Sequence, residues 1–355
     1  MTSSRLNYLT NLLLLLGGRR MLRPLVVTYY LTTRCNLNCA YCEDFGARRN
    51  GQALPPLPLA EALGVLKVVR SATDRLILTG GEPLLHPQIE ALVEGAARKL
   101  GFHLTMLTNA SLLHEHEGVL PHLERLVISL DTLDTALWSG MINAPLATAE
   151  RILENIRTYA AQQQRWGYQM MLNCVLTPQT LPGVKKLLDF AREHKLLVAF
   201  SPQAVQNWPS YDLLVSAEYK QVLAYLLAEK DQGAPIAGSR AYFNTLLQFK
   251  TYACYPTLSP RILPDGGLIF PCRPVEREDT GHGGHSANLL TVGSWNRAMR
   301  QALDDYGQPP LLCSSCFQQC YAEPSLLQSQ PLDWLVEQIR YPASRKAGLT
   351  SFAPG

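Results

Sequence analysis

The chain has 355 residues, 47% of them apolar and 17% charged, with a net charge of +3. That size suits one large domain with a smaller companion and enough apolar surface for a buried core. So slight a positive excess, with no Lys/Arg stripe interleaved with aromatics, excludes a nucleic-acid surface argued from charge. Nine cysteines without a secretory signal point to metal chemistry in a reducing compartment rather than a disulfide framework.

The N-terminal segment YLTNLLLLLGGRRMLRPL contains the leucine run 12–16. The run is far short of the ~20 residues a spanning helix needs, and it lacks the flanks of a signal peptide. Two readings stand for residues 1–22. One is a helix packed across the bottom of the main domain. The other is an interfacial helix whose Arg19, Arg20 and Arg23 meet anionic head groups, which would place a cytoplasmic protein at the inner face of a membrane and would suit a lipid substrate.

The run LVVTYYL, residues 25–31, is short, β-branched and aromatic, and predicts a buried strand. Directly behind it stand Cys35, Cys39 and Cys42, spaced C-x3-C-x2-C, on a loop that can aim three thiols at one point. A zinc knuckle favours four ligands in paired C-x2-C halves. A 4Fe-4S cluster held by three cysteines keeps one iron open to bind something else.

A polar, proline-loaded connection over 48–58 leads to a helix over 59–70 with Leu59, Leu63, Leu66 and Val69 on one side. The pattern then gives a strand at 76–79, a helix at 87–99, strands at 104–108 and 126–129, a helix at 147–163, a strand at 170–175, a helix at 181–194 and a strand at 197–200. Short strands separated by helices predict a parallel α/β domain, which right-handed crossovers wrap into a full or partial barrel. Chemistry-bearing residues fall at the strand C-terminal ends: Gly80, Gly81, Glu82 and Pro83 after the second strand, Asn109 after the third, Ser129 and Asp131 after the fourth, and Asn173 on the fifth. The two glycines permit a sharp turn and close approach of a ligand, and Glu82 supplies a fixed acceptor. Cys174 reads as a small buried hydrophobe. After the sixth strand, position rather than residue type makes Gln203, Asn207, Trp208 and Asp212 substrate-pocket candidates.

Helices over 217–229 and 239–250 lead into a loop-rich region. Between Cys254 and Cys272, RILPDGGLIFPC predicts a hairpin about Asp265-Gly266 that folds the two cysteines toward each other. Cys313 and Cys316 then close a four-cysteine site for zinc or a cluster, with Cys320 to spare. His282 and His285 read as loop residues. After Cys320 only a helix over 332–340 is predicted.

C-x3-C-x2-C followed by a GGEP turn, a TNA segment and an SLD segment resembles the radical S-adenosylmethionine (SAM) superfamily. The resemblance implies an α/β fold: a partial (β/α)6 TIM barrel over residues 23–235, then a smaller α+β domain over 236–335 similar to a twitch or SPASM domain, with a tail over 336–355. It implies that Cys35, Cys39 and Cys42 hold a 4Fe-4S cluster whose open iron chelates SAM, and that reductive cleavage of SAM gives a 5'-deoxyadenosyl radical. By the same resemblance, SAM contacts fall to Tyr41, Gly80, Gly81, Glu82, Pro83, Asn109, Ser129, Asp131 and Asn173, with the GGEP turn meeting the amino group. Ala110 stands where the family has glycine, which sets that tight turn apart. Cys254, Cys272, Cys313 and Cys316, with Cys320 as an alternate, are expected to hold an auxiliary 4Fe-4S cluster that takes an electron from the substrate radical. The implied function is an oxidoreductase abstracting hydrogen from an unactivated C–H of a small molecule or lipid, served by a flavodoxin- or ferredoxin-type donor. A peptide maturase is the second reading, and a non-catalytic zinc- or cluster-binding protein the third.

Overall fold

Alternation along the central strands decides the architecture. Leu76 and Leu78, Leu104 and Met106, Leu126 and Ile128, and Met170 and Leu172 are all buried against helices, while Ile77, Leu107, Val127 and Met171, one position out of step, line an internal cavity. The computed structural model describes residues 3–46, 53–205, 208–274, 287–309, 311–313 and 316–340. Six parallel strands carry the domain: β1 (Val27–Tyr30), β2 (Arg75–Thr79), β3 (His103–Thr108), β4 (Arg125–Ser129), β5 (Gln169–Leu176) and β6 (Leu197–Pro202). They lie side by side in chain order, as successive right-handed crossovers require.

The short strands β7 (Ala204–Val205) and β8 (Trp208–Pro209) make a separate hairpin. At one edge of the main sheet β9 (Ile236–Ala237) joins β6. Further on, β10 (Tyr252–Ala253) is followed by β11 (Arg261–Ile262), β12 (Gly267–Ile269), β13 (Ala287–Asn288) and β14 (Leu312–Cys313). The hairpin expected about Asp265-Gly266 is present as β11–β12, and β11 joins β1 at the other edge. The sheet order is β13-β12-β11-β1-β2-β3-β4-β5-β6-β9, open at both ends, and forms a partial barrel. Residues on both sides of position 235 therefore share one sheet.

The longer helices among the described residues are α1 (Ser3–Leu16), α2 (Leu59–Arg70), α3 (Ile89–Glu94), α4 (Thr135–Ile142), α5 (Leu146–Ala161), α6 (Val184–Glu193), α7 (Ala217–Asp231), α8 (Arg240–Gln248), α9 (Trp295–Tyr306), α10 (Gln319–Ser329) and α11 (Pro331–Arg340), with single turns at Gln163–Trp166, Tyr211–Leu214 and Leu289–Val292. The single helix expected over 87–99 is broken, with a 3-10 turn at Pro83–Leu85 before α3 and a π turn at Gly95–Lys99 after it. The region after Cys320 was expected to hold little before residue 332, and α10 corrects this. It is buried from Tyr321 to Gln328, Glu323, Ser325 and Gln328 included, so it carries no polar face for a sequence pattern to show. Glu323 accepts hydrogen bonds from the Ser239 amide (2.8 Å) and hydroxyl (3.1 Å). His282 and His285 lie outside the described residues.

Candidate active site

The cysteine loop is seated on the end of β2. The Gly81 amide donates to the Thr32 carbonyl and the Glu82 amide to the Arg34 carbonyl, each at 2.8 Å. This contact explains the glycine pair. Gly80 has φ of +150°, and a Cβ there would press on the Thr32 carbonyl. A Cβ on Gly81 would lie 2.5 Å from the Arg34 carbonyl carbon. The close approach is thus first to the chain's own cysteine loop. A second tether comes from α4, whose Met141 and Ile142 carbonyls accept from the Ala40 (2.8 Å) and Asn38 (3.2 Å) amides.

Amide groups point at two of the sulfurs: Leu37 N to Cys35 Sγ at 3.5 Å and Phe45 N to Cys42 Sγ at 3.4 Å. Burial first, then neighbouring charges including the other thiols, pushes Cys39 up to about 12. Burial likewise pushes Cys35 up to about 11. Thiols so placed become thiolates when a cationic centre binds them. Among the described residues no three Cys, His or carboxylate groups converge as ligands of a single ion would. In a cluster each thiolate meets its own iron, so the three need only surround a common volume. The donor set, with amides aimed at sulfur, fits a three-cysteine 4Fe-4S cluster.

Two carboxylates expected to touch SAM are engaged by donors of the protein itself. Glu82 is fully buried. It accepts from Leu84 N (3.0 Å), Thr108 Oγ1 (2.7 Å) and Asn109 N (2.8 Å), and so clamps the end of β2 to the end of β3. Burial pushes its pKa up to about 7 against the lowering by those donors. Asp131 is buried as well, accepting from Val175 N (2.8 Å) and from the Tyr41 hydroxyl. Burial raises its pKa to about 6. Their hydrogen bonds tie Glu82 to the turn beneath the cysteine loop and Asp131 to Tyr41 on that loop.

Asn109 ties the loop from a third side, its Nδ2 donating to Asn36 Oδ1 at 2.9 Å while Ser111 donates back to Asn109 Oδ1. The turn there survives the substitution of glycine: Ala110 sits at φ +61°, fully buried, a conformation that costs an L-residue about 1–2 kcal/mol. Pro83 is buried at the start of the 3-10 turn. Ser129 and Asn173 are register partners on β4 and β5, Ser129 exposed and Asn173 half-buried, leaving their polar groups at the strand ends. Cys174 is fully buried, as expected, with its Sγ 3.5 Å from the Asp131 carbonyl.

A cavity of about 370 Å³ opens beside the loop, lined by Tyr41, Cys42, Asn173, Ser201 and Gln203 near the strand ends and by Arg125 deeper in the barrel. Of the four substrate-pocket candidates only Gln203 lines it. Trp208 and Asp212 are exposed, on β8 and on the short helix that follows, outside that lining, and Asn207 lies outside the described residues. The stretch forms the β7–β8 hairpin, of which Ala204 lines the cavity and Trp208 does not. Sequence reading missed Glu43, Asp44 and Arg125 of the lining. The period-two inward face that contains Val127 and Ser129 would have found Arg125. Burial lowers the Arg125 pKa to about 10, and Asp44 is paired with Arg273 at 3.1 Å.

In the second cysteine group, β10 and β14 bring the Cys254 and Cys313 segments side by side, pairing Tyr252 with Cys313 and Ala253 with Leu312. The Cys254 amide donates to the Leu311 carbonyl at 2.9 Å. Tyr252 Oη donates to the Cys316 carbonyl at 2.6 Å, and Ser325 of α10 lies 4.0 Å from Cys254 Sγ. Next to Cys272, the Arg273 amide donates to Tyr321 Oη at 3.2 Å. Cys320 differs: it lines the barrel cavity and its Sγ accepts from Arg261 Nη2 at 2.6 Å. The Cys313 side chain is outside the described residues.

Residues 29–191 match the model of the radical SAM superfamily. In sequence, the chain is 28% identical over 232 residues to a GTP 3',8-cyclase of Rhodococcus opacus, covering 61% of this chain and 63% of that protein. It is 31% identical over 215 residues to the GTP 3',8-cyclase of Acidothermus cellulolyticus, covering 56% and 57%. The chain thus spans less than two thirds of the length of these relatives. In structure, it resembles Streptococcus suis SuiB bound to precursor peptide SuiA with a TM-score of 0.59 at 18% identity, covering 80% of this chain and 68% of that one. It resembles anSMEcpe with bound AdoMet with a TM-score of 0.58 at 15% identity, covering 91% and 98%. These structural likenesses concern the fold. Given the cysteine loop docked on its glycine turn at the open end of a partial barrel, and the match over this stretch, residues 29–191 form a radical SAM domain.

Proposed function

We propose that the chain cleaves SAM reductively and uses the resulting radical to take hydrogen from a compact, mostly apolar substrate held in the barrel cavity. The observation that carries this reading is that Cys42 and Tyr41 of the cysteine loop line the same cavity as Asn173 and Gln203. Cluster, SAM and substrate would then share one volume. When bound, the cluster and SAM supply the electron and the carbon radical. The chain's part is to hold the loop on Gly80 and Gly81, to orient Tyr41 through Asp131, and to enclose the substrate among Ile77, Leu107, Val127 and Met171.

The nucleotide named for the cyclase relatives does not suit this cavity. A triphosphate needs several cationic partners, whereas the described lining offers Arg125 against Glu43 and Asp44. For the second cysteine group we propose an auxiliary 4Fe-4S cluster on Cys254, Cys272, Cys313 and Cys316. The engagement of Cys320 by Arg261 supports Cys316 as the fourth ligand. Four protein ligands leave no open iron, so its role would be to accept the substrate's electron, making the net reaction an oxidation, with a flavodoxin- or ferredoxin-type protein as donor to the first cluster. A peptide substrate is the second reading, favoured by the exposed Val205, Trp208 and Tyr211 beside the cavity residues Gln203 and Ala204, and SuiB binds a precursor peptide.

The test is 5'-deoxyadenosine formation by anaerobically reconstituted protein with dithionite and SAM, with and without GTP. Formation that disappears in Cys35→Ala and ignores GTP is expected. No formation would overturn the radical reading, and acceleration by GTP of tenfold or more would overturn the compact apolar substrate.

A further inference from the structure

Helix α1 packs on the protein with its polar side. Its buried residues are Ser4, Asn7, Tyr8 and Asn11. Asn7 Nδ2 donates to the Pro24 and Ala72 carbonyls, both at 2.8 Å. Asn11 exchanges two hydrogen bonds with the Arg23 backbone, at 2.9 and 2.8 Å. The Gln328 side chain donates to the Tyr8 carbonyl at 3.3 Å, and the Asp74 carboxylate accepts from the Ser3 (2.9 Å) and Ser4 (3.1 Å) amides at the helix start. Turning the helix over to bury its leucines would break this set and strand the buried amides. Its orientation is therefore built in.

The consequence is an outward stripe of leucine. Leu6, Leu9, Leu13 and Leu16 are 50%, 50%, 71% and 86% exposed, and their spacing sets them along one line of the helix. Leu12, Leu14 and Leu15, by contrast, lean on Leu22, Leu25, Tyr255 and Leu258. Exposed arginines flank the stripe: Arg5 before it, Arg19, Arg20 and Arg23 after it. No acidic residue occurs before Glu43.

We infer that α1 is a surface anchor that lies on an anionic lipid bilayer, with the leucine stripe in the acyl boundary and the arginines at the head groups. Two alternatives fit less well. A two-fold self-contact through this stripe would bring the arginines of the two copies together with no acid in the segment to offset them. Spanning is excluded by length, since 14 residues make a helix of about 21 Å against a hydrocarbon core of about 30 Å, and no helix among the described residues is long and apolar enough to cross a membrane.

The anchor also sets the direction of the active site. Asp74, Ala72 and Pro24, which hold α1, precede β2 and β1, at the N-terminal ends of the strands. The cysteine loop follows the C-terminal end of β1. A protein resting on α1 therefore turns its cavity mouth away from the bilayer and takes its substrate from water, which removes the link between an interfacial helix and a lipid substrate.

The experiment is flotation of the reconstituted full-length protein with vesicles of phosphatidylcholine alone or with one third phosphatidylglycerol. Sedimentation velocity of the free protein is run in parallel. Binding to the anionic vesicles alone is expected. It should fall at least tenfold in Leu9→Ser/Leu13→Ser/Leu16→Ser, and roughly a hundredfold in Arg19→Gln/Arg20→Gln/Arg23→Gln at low salt. Iron content and 5'-deoxyadenosine formation should match wild type in both variants, which shows that they fold. Absence of vesicle binding overturns the inference, as does binding indifferent to the leucines. A dimer that the leucine variant dissolves overturns it in favour of a self-interface.

Discussion

The glycine pair beneath the cysteine loop offers the sharpest perturbation. In Gly81→Ala the new methyl would lie 2.5 Å from the Arg34 carbonyl carbon and 2.9 Å from the Thr33 carbonyl oxygen. Both are backbone atoms, so no side chain can swing clear and the loop itself must lift. Lifting it breaks the Gly81–Thr32 and Glu82–Arg34 hydrogen bonds, together about 1–3 kcal/mol. At about 2.1 cal/mol/K per residue over 355 residues that is a fall in Tm of only about 1–4 °C. The functional loss should be far larger, because the displaced segment carries Cys35. We expect at least a hundredfold loss of 5'-deoxyadenosine formation and loss of about half the iron after desalting. Gly140→Ala is the control: it lies in α4, whose end also tethers the loop, but a Cβ there meets nothing within 4 Å, so activity should be unchanged. Wild-type iron and SAM cleavage in Gly81→Ala would refute the argument that loop docking requires glycine.

Other consequences follow from buried polar groups. Tyr41→Phe leaves Asp131 with only the Val175 amide among its two contacts described above. It should cost about 1–3 kcal/mol in denaturant titration and weaken SAM binding measured by calorimetry; an unchanged midpoint would count against Asp131 as the anchor of the loop. Burial, then the nearby Glu337, pushes Glu323 up to about 8 from an ordinary 4.5. Folding therefore favours its protonated form, a contribution fully present below about pH 4.5 and lost as pH rises through about 8. Glu323→Gln should melt a few degrees above wild type at pH 8.5 and with it at pH 4.5, and parallel curves would contradict the assignment. The ion pair of Lys230 with Glu337 (2.7 Å) joins α7 to α11 and is 1% and 5% exposed at its two side chains. Lys230→Met should destabilise by about 3–5 kcal/mol by stranding the carboxylate, while Lys230→Met/Glu337→Met recovers most of that; equal losses in both would show that packing, not charge, is at stake.

The six central strands were legible as short apolar runs between helices; in β2 to β5 one face is buried and the other lines the cavity, while β1 is buried throughout. Strands β9 and β11 to β13 have two or three residues each, too few to show a period, so the extension of the sheet past residue 235 emerged only from pairing. Helix α10 was hidden by Pro324 within it and by burial on every side. The cysteine spacing and the GGEP turn located the site, but spacing says nothing of which way a carboxylate points. Glu82 and Asp131 are at the strand ends expected of SAM contacts, yet their oxygens face inward to backbone amides and hydroxyls. In α1 the usual rule inverted along one line, since two asparagines found carbonyl partners inside while Leu6, Leu9, Leu13 and Leu16 were left outside.

The central claim is that Cys35, Cys39 and Cys42 carry a cluster distinct from a second one near the C-terminus. Iron and acid-labile sulfide, measured with EPR after anaerobic reconstitution, test it directly on wild type beside Cys35→Ala/Cys39→Ala/Cys42→Ala. About eight irons in wild type, falling to about four in the variant with complete loss of SAM cleavage, is the predicted result. Equal iron in the two proteins, or SAM cleavage that survives the triple substitution, would contradict it.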